Sequence, residues 1–200
     1  IVEAFDGCLI YSGGDDVLAM LPSSTALACA EALRAAFRGS KQLNAVQGGW
    51  EVDAERGHRE KNRDLALFDI AQEGFIRLHE ANHLSMAGEP KHFPAIVPGP
   101  ATECSVGIAI AHFKSPLQDV VRAAQTAEKH AKNQLGRAAV AVSLFKRSGE
   151  ITKWGTQWAS GGMELYQEIA RRLENGDLSA KFPHRVCQLL EPYCSKLEDA

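Results

Sequence analysis

Tyr11–Pro22 reads YSGGDDVLAMLP, two glycines and two adjacent aspartates set between apolar runs. Ala4–Tyr11 is rich in strand formers, and Val17–Leu21 is a second apolar run closed by Pro22. Two such runs around a glycine-containing loop of about four residues predict an antiparallel hairpin. Along a straight strand Asp15 and Asp16 would point to opposite faces. At a hairpin tip the pleat breaks and both carboxylates can converge. Converging carboxylates repel unless a cation lies between them or one keeps its proton. Mg²⁺, a hard cation, takes such oxygens and completes its shell with waters and substrate phosphates. Gly13 and Gly14 leave room for a triphosphate against the backbone, and their N–H groups can face its oxygens. The chemistry implied is two-metal phosphoryl transfer. The plainer reading is a turn, because glycine and aspartate are ordinary turn residues.

Outward from the hairpin, Ser23 or Ser24 can cap a helix carrying Leu27, Ala30, Leu33, Ala36 and Phe37, stopped by Gly39. Residues 38–100 read as an insertion, with a helix from Leu65 to about Leu84 between irregular, proline-rich loops. CSVGIAIAHF, from Cys104, has the pattern of a mostly buried strand. In SPLQDVVRAAQTAEKHAKNQLG, Ser115 is the expected N-cap and Pro116 the first helical residue, with Gly136 ending the helix. RAAVAVSLF reads as another buried strand, and the chain from Trp154 as the start of a helical domain. The expected division is 1–37 with 101–153, then 38–100, then 154–200.

The whole chain bounds the function. Its 200 residues are 45% apolar with a net charge of −3, so it has a core and lacks the global basic field of a dedicated nucleic-acid binder. No apolar run reaches membrane-spanning length, and no membrane partner is expected. IVEAFDGCLI lacks the basic start and long apolar stretch of a signal peptide. It reads as beginning in mid-strand, with chain expected upstream. The five cysteines form no C-x-x-C pair and read as buried free thiols of a cytoplasmic protein.

The hairpin grammar resembles a nucleotidyl-cyclase-type palm, the superfamily that includes the GGDEF diguanylate cyclases. AEKHAKNQLGRAAVAV is similar to the A-K-x-x-G-R-N segment that closes such domains, with one extra residue before the glycine and Ala138 where asparagine is usual. GGDD in place of GGDEF, SVGIAIAHFKSPL before the last helix and LFKRSGE after the last strand point to a narrower family. That family is the large signature subunit of type III CRISPR–Cas effector complexes, Cmr branch. The resemblance covers residues 1–37 and 101–158 well.

The resemblance implies an α+β, ferredoxin-like palm whose first strand and helix lie upstream. It implies polymerisation of ATP into cyclic oligoadenylate messengers when target RNA is bound, in antiviral defence. By position, Asp15 and Asp16 would hold two Mg²⁺ or Mn²⁺ ions. Ser12, Gly13 and Gly14 would line the nucleotide, and Lys132 and Arg137 would meet its phosphates. The partners implied are ATP, other effector subunits, and crRNA and target RNA through the complex. Two alternatives stand beside it: a diguanylate cyclase acting on GTP, and a non-catalytic nucleotide-binding scaffold.

The other candidates have structural readings. Lys132 follows Glu128 by four residues and suits an ion pair. Arg137 can serve the helix end. Gly107, with Ser105, marks either close backbone approach or a bulge. His79 and His83 have zinc-compatible i,i+4 spacing without a third ligand. Trp154 and Trp158 read as packing residues.

Overall fold

The computed structural model describes residues 1–39, 68–78 and 94–194, with residues 68–71, 77, 78, 193 and 194 described by backbone alone. Two compact units make up the chain, Ile1–Gly155 and Thr156–Ala200.

The N-terminus is a 3-10 turn, Val2–Phe5, and not the expected strand from Ala4. Val2 and Phe5, three apart, both bury against the core. Asp6 then takes a left-handed φ of 57°, and a side chain at Gly7 would strike Val2 and Leu21. That tight corner delays β1 to Cys8–Gly13. β2 is Asp16–Met20 and pairs with it antiparallel, Gly13 opposite Asp16. The connection is therefore shorter than the expected loop.

α1, Ala26–Arg38, starts at Thr25 and not at Ser23 or Ser24. The Thr25 hydroxyl does not cap the helix. It donates to the Phe5 carbonyl at 2.9 Å, joining the N-terminal turn to the helix start. Small residues, Cys29, Ala32, Ala35 and Ala36, face the core and let α1 lie close to that turn. Gly39 ends the helix in the left-handed conformation, φ 49°.

The helix expected over Leu65–Leu84 is not formed in its described part. Residues 68–78 are a hairpin, β3 Phe68–Gln72 and β4 Phe75–Leu78, joined by β5 Ala95–Ile96. Ile70 lies opposite Ile76, and Gly74 at φ 81° makes the turn that a helix interior would forbid. Ile76 and Val97 pack on the α1 cluster. Backbone bonds stitch the hairpin to the helix end: Gly74 N–H to the Gly39 carbonyl at 3.0 Å and Gly99 N–H to that of Phe37 at 3.3 Å. His58, His79, His83 and His92 lie outside the described residues.

The second half of the first unit is built as strand, helix, strand, strand. β6 is Val106–Ile110, α2 Leu117–Asn133, β7 Ala139–Phe145 and β8 Ile151–Gln157. β6 and β7 run parallel with β7 central, and β8 closes the far edge. β7 is buried as expected, whereas β6 is only half-buried along its length. Pro116, not Ser115, occupies the α2 N-cap position. Among the described residues β1–β2 and β6–β7–β8 form separate sheets, so the single ferredoxin-like sheet is not present there. The architecture is α+β.

Two arginines four residues apart on α1 repel and call for an acid. Glu103, just ahead of β6, supplies it. Arg34 donates to both its oxygens, Nε at 2.9 Å and Nη2 at 2.6 Å, and Arg38 Nη1 also pairs with it. Burial alone would raise the Glu103 carboxyl, but the Arg34 hydrogen bonds and charge, with those of Arg38, hold it below the usual glutamate range. A depressed folded-state value gives stability that is present above the unfolded pKa and lost as pH falls through the folded one. The wild type should therefore lose this contribution below about pH 4.5. Glu103→Gln should cost about 1–2 kcal/mol at neutral pH, the charged-bond value discounted for partial exposure, and should flatten that acid limb. Urea denaturation against pH checks both.

The cysteines are only partly the buried thiols expected. Cys29 is buried and Cys104 half-buried, each pushed up to about 11 mainly by burial, but Cys8 and Cys187 are exposed. Trp154 lies on β8 and not in the helical tail. In the second unit α3, Gly162–Glu174, ends at Asn175, and α4 is Phe182–Cys194. No described helix is long and apolar enough to cross a membrane.

Candidate functional site

The β1–β2 tip is a two-residue connection, Gly14-Asp15. Gly14 has φ 61° and Asp15 is not among the residues with positive φ. Glycine at the first central position is the type II′ preference, whose twist matches the flanking strands. A side chain at Gly14 would meet nothing within 4 Å, so this glycine borders open space. Gly13 differs: a Cβ there would lie 2.2 Å from the Tyr11 hydroxyl. Tyr11 and Gly13 share a face of β1, and the phenol covers the bare glycine. Of the two glycines, only Gly14 offers free backbone. Ser12 is exposed on β1, opposite Val17.

Asp15 sits in the turn and Asp16 opens β2, both exposed. Neither makes an ion pair with a described residue, so four carboxylate oxygens stand at the tip as acceptors. That donor set suits a hard divalent ion. No group of three or more His, Cys, Asp or Glu side chains able to hold a metal occurs among the described residues. The tip thus presents two carboxylates.

The end of α2 supplies the basic side. Lys132 pairs with Glu128 one turn earlier. Its ammonium is raised above the lysine range first by that hydrogen bond; slight burial opposes, the Glu128 and Asp16 charges add, and the Arg137 charge subtracts. Lys132 therefore feels both Asp16 and Arg137, and the structure brings these three expected residues into one electrostatic neighbourhood. The plain reading of Lys132 as an i,i+4 partner is also realised.

Arg137 lies in an unusual run. Gly136, Arg137 and Ala138 have φ of 79°, 68° and 46°. The Arg137 N–H bonds back to the Ala131 carbonyl at 3.0 Å, closing α2, while its guanidinium end remains exposed. Left-handed alanine is strained, and asparagine tolerates that region far better. Ala138→Asn should raise stability by about 0.5–1 kcal/mol, read as an upward shift of the thermal midpoint. An unchanged or lower midpoint would show that the strain is relieved elsewhere.

Gly107 is a site of close approach and not a bulge. A Cβ there would lie 2.2 Å from both the Ala124 oxygen and the Glu128 nitrogen, so α2 rests on β6 backbone to backbone. This contact fixes the height of the helix that carries Lys132. Glu103 went unread in the sequence as the anchor of β6; the signal was the acid-hungry pair Arg34 and Arg38.

Comparison with known proteins adds two findings. Residues 1–50 match the family described as Cas10/Cmr2, second palm domain. Over 191 residues, 94% of this chain, the sequence is 25% identical to the CRISPR system Cmr subunit Cmr2 of Pyrococcus furiosus. The chain spans 16% of that relative's length. No solved structure gives a significant match.

Proposed function

We propose, from its similarity to the Cas10/Cmr2 second palm domain and to Cmr2, that the chain is a nucleotidyl-transferring palm that joins ATP into cyclic oligoadenylates within a type III effector complex. The observation that carries this reading is the Gly13–Asp16 tip, where two exposed carboxylates stand without ion-pair partners among the described residues and Asp16 lies in the field of Lys132. Asp15 and Asp16 would hold the divalent ions, Mg²⁺ or Mn²⁺. Bound there, the ions would supply charge stabilisation to a transferring phosphoryl group. The remaining work falls to side chains and backbone of the chain itself. Gly14 admits the triphosphate to within reach of the turn's N–H groups. Lys132 and Arg137 present positive charge from the end of α2 to the phosphate oxygens. Ser12 offers a hydroxyl on the β1 side. Recognition of crRNA and target RNA and docking of the other subunits belong to the assembled complex.

The test uses the full-length subunit in its complex with ATP, Mg²⁺ and target RNA. Oligoadenylate that appears only with RNA and vanishes on chelation is expected. Product from GTP without RNA would instead favour a diguanylate cyclase. Nucleotide binding that ignores metal, with no product, would favour a scaffold.

A further inference from the structure

β7 and β8 are neighbours joined by a turn in which the Lys146 N–H bonds to the Glu150 carbonyl at 2.9 Å. Further along, a Cβ on Gly155 would lie 3.3 Å from the Ala141 Cα. Counting between these two anchors sets Lys153 opposite Ser143, on the same face as Gly155 and Ala141. That is the face α2 covers, since Ala127 and Ala131 of the helix pack on Ala139 and Ala141. Trp154, the next residue of β8, belongs to the opposite face. Between α2 and this strand pair lies a groove of ≈ 380 Å³. Lys129, His130 and Asn133 line it from the helix, Ser143 from β7 and Lys153 from β8. No acidic residue and no arginine lines it.

Two observations point to a ligand there. The first is Ser143, which is 5% exposed while its hydroxyl has no hydrogen-bond partner among the described residues. A buried hydroxyl without a partner is destabilising, and native structures rarely keep one idle. Its oxygen is not fully enclosed, and the space it lines is the groove. The second is charge. Lys132 and Lys146 are paired, with Glu128 and Glu150, but Lys129 and Lys153 make no ion pair among the described residues. Donors thus enter one space from three elements: ammonium groups from α2 and β8, a hydroxyl from β7 and the Asn133 amide. A planar carboxylate is best met by the parallel donors of an arginine fork, which the groove lacks. A tetrahedral phosphate accepts from several directions at once, and lysine meets it as a point charge.

We propose that the groove between α2 and the β7–β8 pair is a phosphate site, in which the phosphate lies between Lys129 and Lys153 and accepts from the Ser143 hydroxyl. No residue of the Gly13–Asp16 tip lines this groove, so it is a second site on the same unit. The phosphate belongs either to the backbone of a single-stranded RNA or to a free small molecule.

The experiment uses the full-length subunit in EDTA, which keeps divalent ions from the tip. Its lysines are acetylated with and without a probe, inorganic phosphate or an oligouridine, and the modified peptides are mapped by mass. Joint protection of Lys129 and Lys153 is expected, with the exposed Lys114, outside the groove, reacting as before. Protection by inorganic phosphate identifies a free phosphate as sufficient, and protection by oligouridine alone identifies the strand. Lys129→Ala/Lys153→Ala should weaken the protecting probe about tenfold by calorimetry. For oligouridine the pair should also reduce the salt slope by about 1.4, or ~0.7 per lost phosphate contact. Ser143→Ala should weaken binding about threefold with the thermal midpoint unchanged or raised, because the hydroxyl it removes has no partner in the free protein. A lowered midpoint with unchanged affinity would make that hydroxyl structural and overturn the site. Both lysines are exposed, so their double variant should fold and keeps binding measurable whatever Ser143→Ala does. Protection of neither lysine or of only one, or affinity indifferent to the lysine pair, also overturns the proposal.

Discussion

Replacing Asp15 and Asp16 together by asparagine is expected to reduce nucleotide joining by the assembled full-length subunit by about a thousandfold or more. Charge stabilisation by bound divalent ions is worth several kcal/mol at the transition state, and each 1.36 kcal/mol is a factor of ten. Asparagine keeps the size and the turn propensity of aspartate but removes both negative charges. Because both positions are exposed and without ion-pair partners, folding should be indifferent, or slightly favoured by the loss of two adjacent like charges. The signature is therefore lost product with an unchanged thermal midpoint. The single variants should each cost nearly as much as the pair, since the two carboxylates serve the same ions. Undiminished oligoadenylate from the double variant would remove the tip from the reaction altogether.

Gly107→Val should strongly destabilise the first unit. Even a Cβ would lie 2.2 Å from two backbone atoms of α2, and backbone has no rotamer to escape into. Overpacking costs about 1–3 kcal/mol where side chains can give way, and more where they cannot. Gly107→Ala should reach about 3 kcal/mol and Gly107→Val should exceed it. The helix can respond only by lifting off β6, which carries Lys132 away from Asp16. Denaturant midpoints measure the first effect, and loss of activity in the refolded alanine variant measures the second. Tolerance of alanine at full stability would mean that α2 and β6 do not touch as described.

The features that were legible in the sequence are those whose chemistry is local. Gly13-Gly14 between apolar runs announces a hairpin wherever it occurs, and the alanine stripe ending at Gly136 announces α2. The helix expected from Leu65 to about Leu84 misled over residues 68–78 because a sparse apolar pattern such as Ile70, Phe75 and Leu78 satisfies either period. Gly74 was the deciding residue, a turn glycine inside the span expected to be helical. β8 was missed although SGE was its turn signal: Gly149 sits at φ 87° and the Lys146 N–H bonds to the Glu150 carbonyl at 2.9 Å. The coupling of Lys132 to Asp16 lies beyond any window of sequence, since it depends on how α2 seats on β6. The carboxylate pair itself was legible because two like charges at a turn are an electrostatic cost that asks for a reason.

The bonds that join Gly74 to Gly39 and Gly99 to Phe37 have a consequence for how this chain can vary over evolution. They fix the entry and exit of the inserted segment at the last turn of α1, so the span between Gly39 and Phe68 begins and ends at fixed points. The entropic cost of closing a chain between fixed points rises only with the logarithm of its length, about 0.6 kcal/mol per doubling. Residues can therefore be gained or lost within that span with little effect on the helix, the hairpin tip or the Arg34–Glu103 clamp. Relatives should differ most in length there and least between Gly13 and Gly39.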